Sequence, residues 1–258
     1  MVGRLTAAAA AAARAVVGPG RGQPLPWAGP APAAVLVDLD DTLYPQASYL
    51  DSAAAAVGLA AQAAGLDGTA VAAALRAELA AGSDRPGTID RALAACGVPA
   101  GPAEGLLPGL VAAFVAHRPV RLPTYPGAVE ALAALRGRYP VGCLTDGNPA
   151  IQRAKLAATG LAEAFDAVVI TDECGGRTAR KPHPTGLRRA AELLGLPADR
   201  LVVIGDRPAK DVAVAAAGGA RAIRVRAGEH AAAPDRPAAV LTVPDFAAAA
   251  SALLAAHA

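Results

Sequence analysis

The chain has 258 residues, enough for one large domain or a core with a smaller companion, and its 54% apolar content can fill a buried core. The formal charge of +2 is nearly balanced and no basic run is present, which argues against a nucleic-acid partner. Aromatic residues are only 3% and alanine is abundant, so the core is expected to be aliphatic, with helices approaching closely.

Residues 1–32 read as an extension. The alanine run Ala7–Ala13, closed by Arg14, is too short to span a membrane, and alanine is a weak membrane former. The stretch GPGRGQPLPWAGPAP around Trp27 can form neither a helix nor a central strand and is expected to be a flexible tail. Ala33–Leu39 is a short apolar run bounded by Pro and Asp, the profile of a fully buried parallel strand. From Gln46 to about Leu122 the spacing turns helical, over Ser48–Ala64, Thr69–Ala81, Thr88–Cys96 and Ala103–His117, with Gly and Pro between the segments. The pattern predicts an all-helical insert over 46–122.

After Tyr125-Pro126-Gly127 the pattern alternates. Strands are expected at Val141–Leu144, Ala167–Ile170, Leu201–Ile204, Ala222–Val225 and, at an edge, Val240–Val243. Helices are expected at Ala128–Leu135, Pro149–Thr159, Thr185–Leu194, Asp211–Ala217 and Phe246–Ala256. Such alternation predicts an α/β fold, a doubly wound parallel sheet covered on both faces, built from 33–45 and 123–258.

Ligands of such sheets bind beyond the carboxyl ends of the strands, so the residues there carry the functional reading. The first strand ends in Asp38, Asp40, Asp41 and Thr42. The second ends in Thr145, Asp146, Gly147 and Asn148, with Asn148 as a helix cap and Pro149 as the first helical residue. The third leads to Lys181, and the fourth to Gly205, Asp206 and Asp211. Two crowded carboxylates such as Asp38 and Asp40 repel unless a cation intervenes, and Mg²⁺ suits a site of few carboxylates plus phosphate and water. Thr145 beside a helix start makes a phosphate-binding corner. Gly205 is expected to allow a tight turn that presents Asp206. Asp211 is expected at a helix start, where the dipole favours a negative charge.

The chain has only three lysines beside many arginines. Lys181 is read as the counter-charge of the acidic cluster, Lys155 as a solvated helix residue between Ala154 and Leu156, and Lys210 as either. His117 and His183 are read as ordinary residues. Cys96, Cys143 and Cys174 are far apart and form no CxxC pair, so neither a zinc site nor a disulfide framework is supported and a reducing cytoplasm is the expected compartment.

In order, DLDDT, LTDG, RKPHP and IGDRPAKD resemble the four motifs of the haloacid dehalogenase-like (HAD) hydrolase superfamily, and the resemblance covers Ala33 to about Gly228. The insert after the first motif looks like that family's small helical cap. The resemblance implies that Asp38 is a nucleophile forming an aspartyl-phosphate, and that Asp40 protonates the leaving oxygen and then activates water. It implies that Thr145, with Asp146, Gly147 and nearby N–H groups, cradles the phosphoryl group, and that Lys181 neutralises charge. It implies Mg²⁺ held by the Asp38 side chain, the Asp40 carbonyl and Asp206, with Asp211 supporting, and a small phosphorylated metabolite as substrate. Two positions depart from the pattern: Asp146 stands where many members have Asn, and Asp41 where many have Gly. Asp40 itself argues for a phosphatase and against a dehalogenase. A phosphomutase of the same fold and, more remotely, a phospho-accepting signalling domain are the alternatives; phosphate release, isomerised product and a lasting aspartyl-phosphate separate the three.

Overall fold

The computed structural model describes residues 30–256, so the alanine block and Trp27 lie outside the described residues. Six strands, β1 (Ala34–Val37), β2 (Val141–Thr145), β3 (Ala167–Ile170), β4 (Leu201–Gly205), β5 (Arg221–Val225) and β6 (Leu241–Val243), form one sheet in the order β3-β2-β1-β4-β5-β6. Every pairing is parallel. The central strands are continuous apolar runs rather than alternating ones because both of their faces are covered.

On one face Val35, Val37, Val141, Cys143 and Ile204 pack with residues of α5 (Ala128–Arg136), α6 (Pro149–Ala158) and α9 (Phe246–Ala255). On the other, Ala34, Leu36, Leu144 and Val203 pack with Leu187 and Ala190 of α7 (Thr185–Leu194) and Val214 of α8 (Ala213–Gly218). Successive β1 residues thus serve opposite cores, as the two-residue period requires. The chain runs outward from β1 through β2 to β3, then returns to β4 on the other side of β1. That reversal opens the crevice beyond the β1 and β4 carboxyl ends.

Between β1 and β2 stand α1 (Gln46–Ala63), α2 (Gly68–Ala80), α3 (Thr88–Ala95) and α4 (Ala100–Ala116). They share a core of their own that includes Val57, Leu75, Leu79, Leu93 and Leu110. Helix α4 starts at Ala100 rather than at Ala103 because Pro102 falls in the first turn, where a missing N–H costs no hydrogen bond. The close approach expected from the alanine content is most extreme between α1 and α2. A Cβ on Gly58 would lie 2.5 Å from the Gly68 carbonyl oxygen, and one on Gly68 would lie 2.2 Å from that of Gly58. Among the described residues no helix is long and apolar enough to cross a membrane.

Because the two backbones touch there, Gly68→Ala should force α1 and α2 apart. Overpacking of this kind costs about 1–3 kcal/mol, or a fall in Tm of roughly 2–10 °C in a domain of this size, measurable by calorimetry. An unchanged Tm would contradict the contact.

Candidate active site

The carboxyl ends of β1, β2 and β4 and the loop after β3 converge on a cavity of about 370 Å³. Its other wall comes from α1, α2, α4 and the turn between α2 and α3. Asp38 extends the sheet ladder by one residue, its N–H donating to the Ile204 carbonyl at 2.9 Å, and this directs its carboxylate into the cavity.

Lys181 Nζ donates to Asp38 Oδ1 and to Asp211 Oδ1, each at 2.6 Å, and to the Leu144 carbonyl at 3.2 Å. An ammonium has three protons, so all its donors are engaged and its contribution to an incoming anion is charge. Burial works against that charge, but Asp211, Asp38 and Asp146 outweigh it and hold the Lys181 pKa well above the usual lysine value.

Asp206 lies beside this pair, 1% exposed, and neither of its carboxylate oxygens has a hydrogen-bond partner among the described residues. One oxygen each of Asp38, Asp206 and Asp211 lies within 4.8 Å of the others. Three buried carboxylates thus face one buried ammonium, so that full ionisation would leave two negative charges uncompensated. Burial pushes Asp38 up to about 7, with Lys181 opposing and Asp211 and Asp40 adding to the rise. Burial, with Asp211, Asp38 and Asp41, pushes Asp206 up to about 10. A hard divalent cation with oxygen ligands fits both the charge deficit and the unpartnered Asp206 oxygens.

Asp211 sits in a π-helical turn, Pro208–Val212, ahead of α8 rather than in its first turn. Its Oδ2 accepts the Arg207 N–H at 2.9 Å. Gly205 is needed for close approach and not for a turn: a Cβ there would lie 2.3 Å from Asp211 Cγ.

At the β2 corner the Thr145 hydroxyl is buried and has no partner among the described residues. The α6 N–H groups of Ala150 and Ile151 are taken by Asn148 Oδ1 at 2.9 and 3.4 Å, so that helix start is already capped. Asp146 acts as a brace: its Oδ1 accepts from Thr171 Oγ1 at 2.8 Å and from the Lys181 N–H at 3.0 Å, which sets the base of the Lys181 side chain. Gly147 has φ +130°, and a Cβ there would lie 2.9 Å from the Gln152 amide.

Asp40 belongs to a separate cluster. Lys155 Nζ lies 2.8 Å from both of its oxygens, Tyr44 donates to Oδ1 at 2.5 Å and Gln152 to Oδ2 at 3.2 Å. Burial raises the Asp40 pKa, but Lys155, Tyr44 and Gln152 outweigh it and hold the carboxyl below its ordinary value. This corrects the expectation for Lys155, which is 3% exposed and lies 4.8 Å from the Tyr49 ring centroid. The available signal was the spacing of Gln152 and Lys155, three apart and therefore on one helix face, in a chain with only three lysines.

Asp41 has φ +53°; its Oδ1 accepts the Gln46 N–H at 2.9 Å and its Oδ2 the Glu229 N–H at 3.0 Å, tying the start of α1 to the loop after β5. Neither His117 nor His183 lines the cavity; His117 bonds Ser52 Oγ at 2.9 Å, and His183 Nδ1 lies 2.8 Å from Thr185 Oγ1. Lys210 spans two carboxylates, Asp84 at 2.8 Å and Asp146 at 3.2 Å.

A family description, haloacid dehalogenase-like hydrolase, matches residues 32–219, which is more than half of the chain. The chain belongs to the haloacid dehalogenase-like hydrolase family. A glyceraldehyde 3-phosphate phosphatase from Methanopyrus kandleri is 32% identical over 203 residues, covering 76% of this chain and 85% of that one. A phosphoserine phosphatase from Thermus thermophilus is 39% identical over 109 residues, 42% of this chain and 43% of that one, so that match spans less than half of either. Among solved structures, a predicted phosphoglycolate phosphatase from Haemophilus somnus superposes with a TM-score of 0.61 at 18% identity, covering 84% of this chain and 95% of that one; this likeness concerns the fold. The chain is an enzyme, a phosphatase of the HAD-like family.

Stability should report the charge deficit directly. Folded Asp38 and Asp206 hold their protons above the ordinary value of 3.8, so the folded state binds more protons than the unfolded one as pH rises from about 4. The chelator-treated HAD-like protein should therefore lose stability between about pH 5 and pH 8. At one Mg²⁺ concentration, a hundredfold above the Kd at pH 8, the cation should restore about 2–3 kcal/mol at pH 8 and less at pH 5, where protons compete for the carboxylates. Thermal melts with EDTA or Mg²⁺ at both pH values test this; a Mg²⁺ increment that shrinks at higher pH would count against the site.

Proposed function

We propose that the chain hydrolyses phosphate monoesters of small metabolites through an aspartyl-phosphate on Asp38, with Mg²⁺ as cofactor and helices α1–α4 as a cap over the site. The observation that carries this reading is the two-charge deficit of Asp38, Asp206 and Asp211, when ionised, against Lys181, in a cavity also lined by Thr145, whose hydroxyl has no partner among the described residues. Mg²⁺, held by the Asp38 and Asp206 carboxylates and the Asp40 main-chain carbonyl with Asp211 behind, would supply positive charge against the phosphoryl oxygens.

In the first half-reaction an Asp38 oxygen attacks phosphorus in line, and the bond to the ester oxygen breaks. Lys181 adds a second positive charge, and the Thr145 hydroxyl donates to a phosphoryl oxygen. Asp40 protonates the departing alcohol oxygen. In the second half-reaction water attacks the aspartyl-phosphate, Asp40 removes its proton, and Asp38 is regenerated with release of inorganic phosphate. The Lys155, Tyr44 and Gln152 contacts favour the Asp40 carboxylate, the form that this second role uses, and the proton it takes from water is the one it gives to the leaving oxygen of the next turnover. The Gln152 bond also keeps it turned towards the β2 corner. Asp38 and Asp40 therefore rest on different cations, and one can be neutralised without discharging the other.

The cavity volume of about 370 Å³ suits a small metabolite. Cys96, Cys143 and Cys174 are all free thiols, in keeping with a reducing cytoplasm.

The test is a screen of phosphate release from phosphorylated sugars, nucleotides and three-carbon acids with Mg²⁺. Asp38→Asn should reduce the rate by about a thousandfold or more, since it removes the nucleophile. Equal release by wild type and variant would sink the mechanism. Lys155→Met should lower kcat by about 10- to 100-fold and leave KM little changed, because it releases the acid/base group and not the substrate. A change confined to KM would assign Lys155 to substrate binding instead.

A further inference from the structure

We propose that Arg207 and Lys210 form a seat for a second anionic group on the substrate, a carboxylate or second phosphate on its leaving-group side, and that Asp84 fills this seat until that group displaces it. The inference deepens the phosphatase reading above and rests on it.

The seat already holds a carboxylate. Asp84 Oδ2 lies 2.6 Å from Arg207 Nη2 and 2.8 Å from Lys210 Nζ. Asp84 comes from the turn between α2 and α3, so a group from the far wall of the cavity reaches across to the wall that bears the catalytic acids. Burial raises its pKa, but the bonds and charges of Lys210 and Arg207 outweigh this and bring it down to about 2, so the seat favours a full negative charge.

The seat adjoins the reacting centre. Arg207 follows Asp206, and its main-chain N–H is bound by Asp211 at 2.9 Å. Lys210 precedes Asp211 and reaches Asp146 at 3.2 Å, the same residue that holds the Lys181 N–H. Asp38, Arg207 and Lys210 line one cavity, so an ester whose phosphoryl group lay at Asp38 would extend its leaving group into the space that the seat borders.

Three features separate a displaceable occupant from a fixed latch. The Asp84 side chain is 46% exposed, whereas those of Arg207 and Lys210 are 23% and 18% exposed, so the anion is the part with freedom to leave. The turn has a second anchor, Ser83 Oγ to Glu229 Oε2 at 2.7 Å, which tethers it to the core when Asp84 lets go. The guanidinium offers five N–H donors, more than the two that a single carboxylate can engage, so the receptor can take a second anionic oxygen beside the one at Nη2. Arg177 lines the same cavity and has no ion-pair partner among the described residues, which adds positive charge to the cavity wall.

The experiment compares matched esters with the full chain and Mg²⁺, measuring initial phosphate release. Phosphoglycolate is set against ethyl phosphate, and propane-1,3-diyl bisphosphate against propyl phosphate. Wild type should favour the charged member of at least one pair by about tenfold or more in kcat/KM, and the pair that shows it names the group as carboxylate or phosphate. Arg207→Met and Lys210→Met should bring that ratio towards one, mainly through KM, and Arg207→Lys should retain part of it. Asp84→Asn, by emptying the seat, should raise the ratio severalfold.

A wild-type ratio of one or less in both pairs overturns the proposal. So does an Asp84→Asn variant that slows charged and neutral esters alike, the result expected of a plain latch between the two walls. Phosphate release from neutral esters with no charged preference defeats the seat alone. Absence of release from any ester, here and in the wider screen, defeats the phosphatase reading together with the seat.

Discussion

Three carboxylates buried against a single ammonium are unstable company, and much of the molecule is arranged around keeping them together. Asp38, Asp206 and Asp211 come from the ends of β1 and β4 and the turn beyond, and Lys181 arrives from the loop after β3. Each has little room to move. Gly205 is bare so that Asp211 can lie against it, Asp146 grips the main chain of Lys181, and the Asp211 carboxylate is held by the Arg207 N–H. Unpaired buried charge normally relaxes by taking up a proton or admitting water. Here the strand ends hold the acids together, so the strain is relieved by protons retained on Asp38 and Asp206 or by a cation that replaces them. A phosphoryl group entering such a site meets electrostatics arranged beforehand, which is where most of the rate acceleration in phosphoryl transfer originates.

The second acid is kept apart from the first by a device that is equally economical. Asp40 is only two residues from Asp38, yet it shares none of its hydrogen-bond partners. Lys155 and Gln152 from α6 and Tyr44 from the chain leading into α1 enclose it. Two neighbouring carboxylates with separate counter-ions can hold different protonation states, which a nucleophile and a proton carrier require.

The strands were legible because buried parallel strands are uninterrupted apolar runs, and the residues following them were unusual enough to mark the crevice. Helix starts were harder: the spacing put the fourth helix of the insert at Ala103, whereas it starts at Ala100, because a proline in the first turn costs no hydrogen bond. The environment of Lys155 was not legible from its immediate neighbours, since an alanine and a leucine beside it say nothing about a carboxylate more than a hundred residues away. Asp41 was unassigned for a related reason. Its left-handed backbone and its bonds to Gln46 and Glu229 arise from two segments meeting, a tertiary fact without a local signature. The same holds for Asp84, whose partners lie on another wall of the cavity.

The Lys181–Asp38 bond joins residues separated by 143 positions, and Lys181–Asp211 joins residues separated by 30. No short fragment contains the centre. Closing a loop of the longer length before its contacts reward it is slow and entropically unfavourable. The active centre therefore completes only after the crossovers on both sides of β1 are in place. The acidic cluster of Asp38, Asp206 and Asp211 is thus a property of the finished topology: it exists only where β1 and β4 lie side by side.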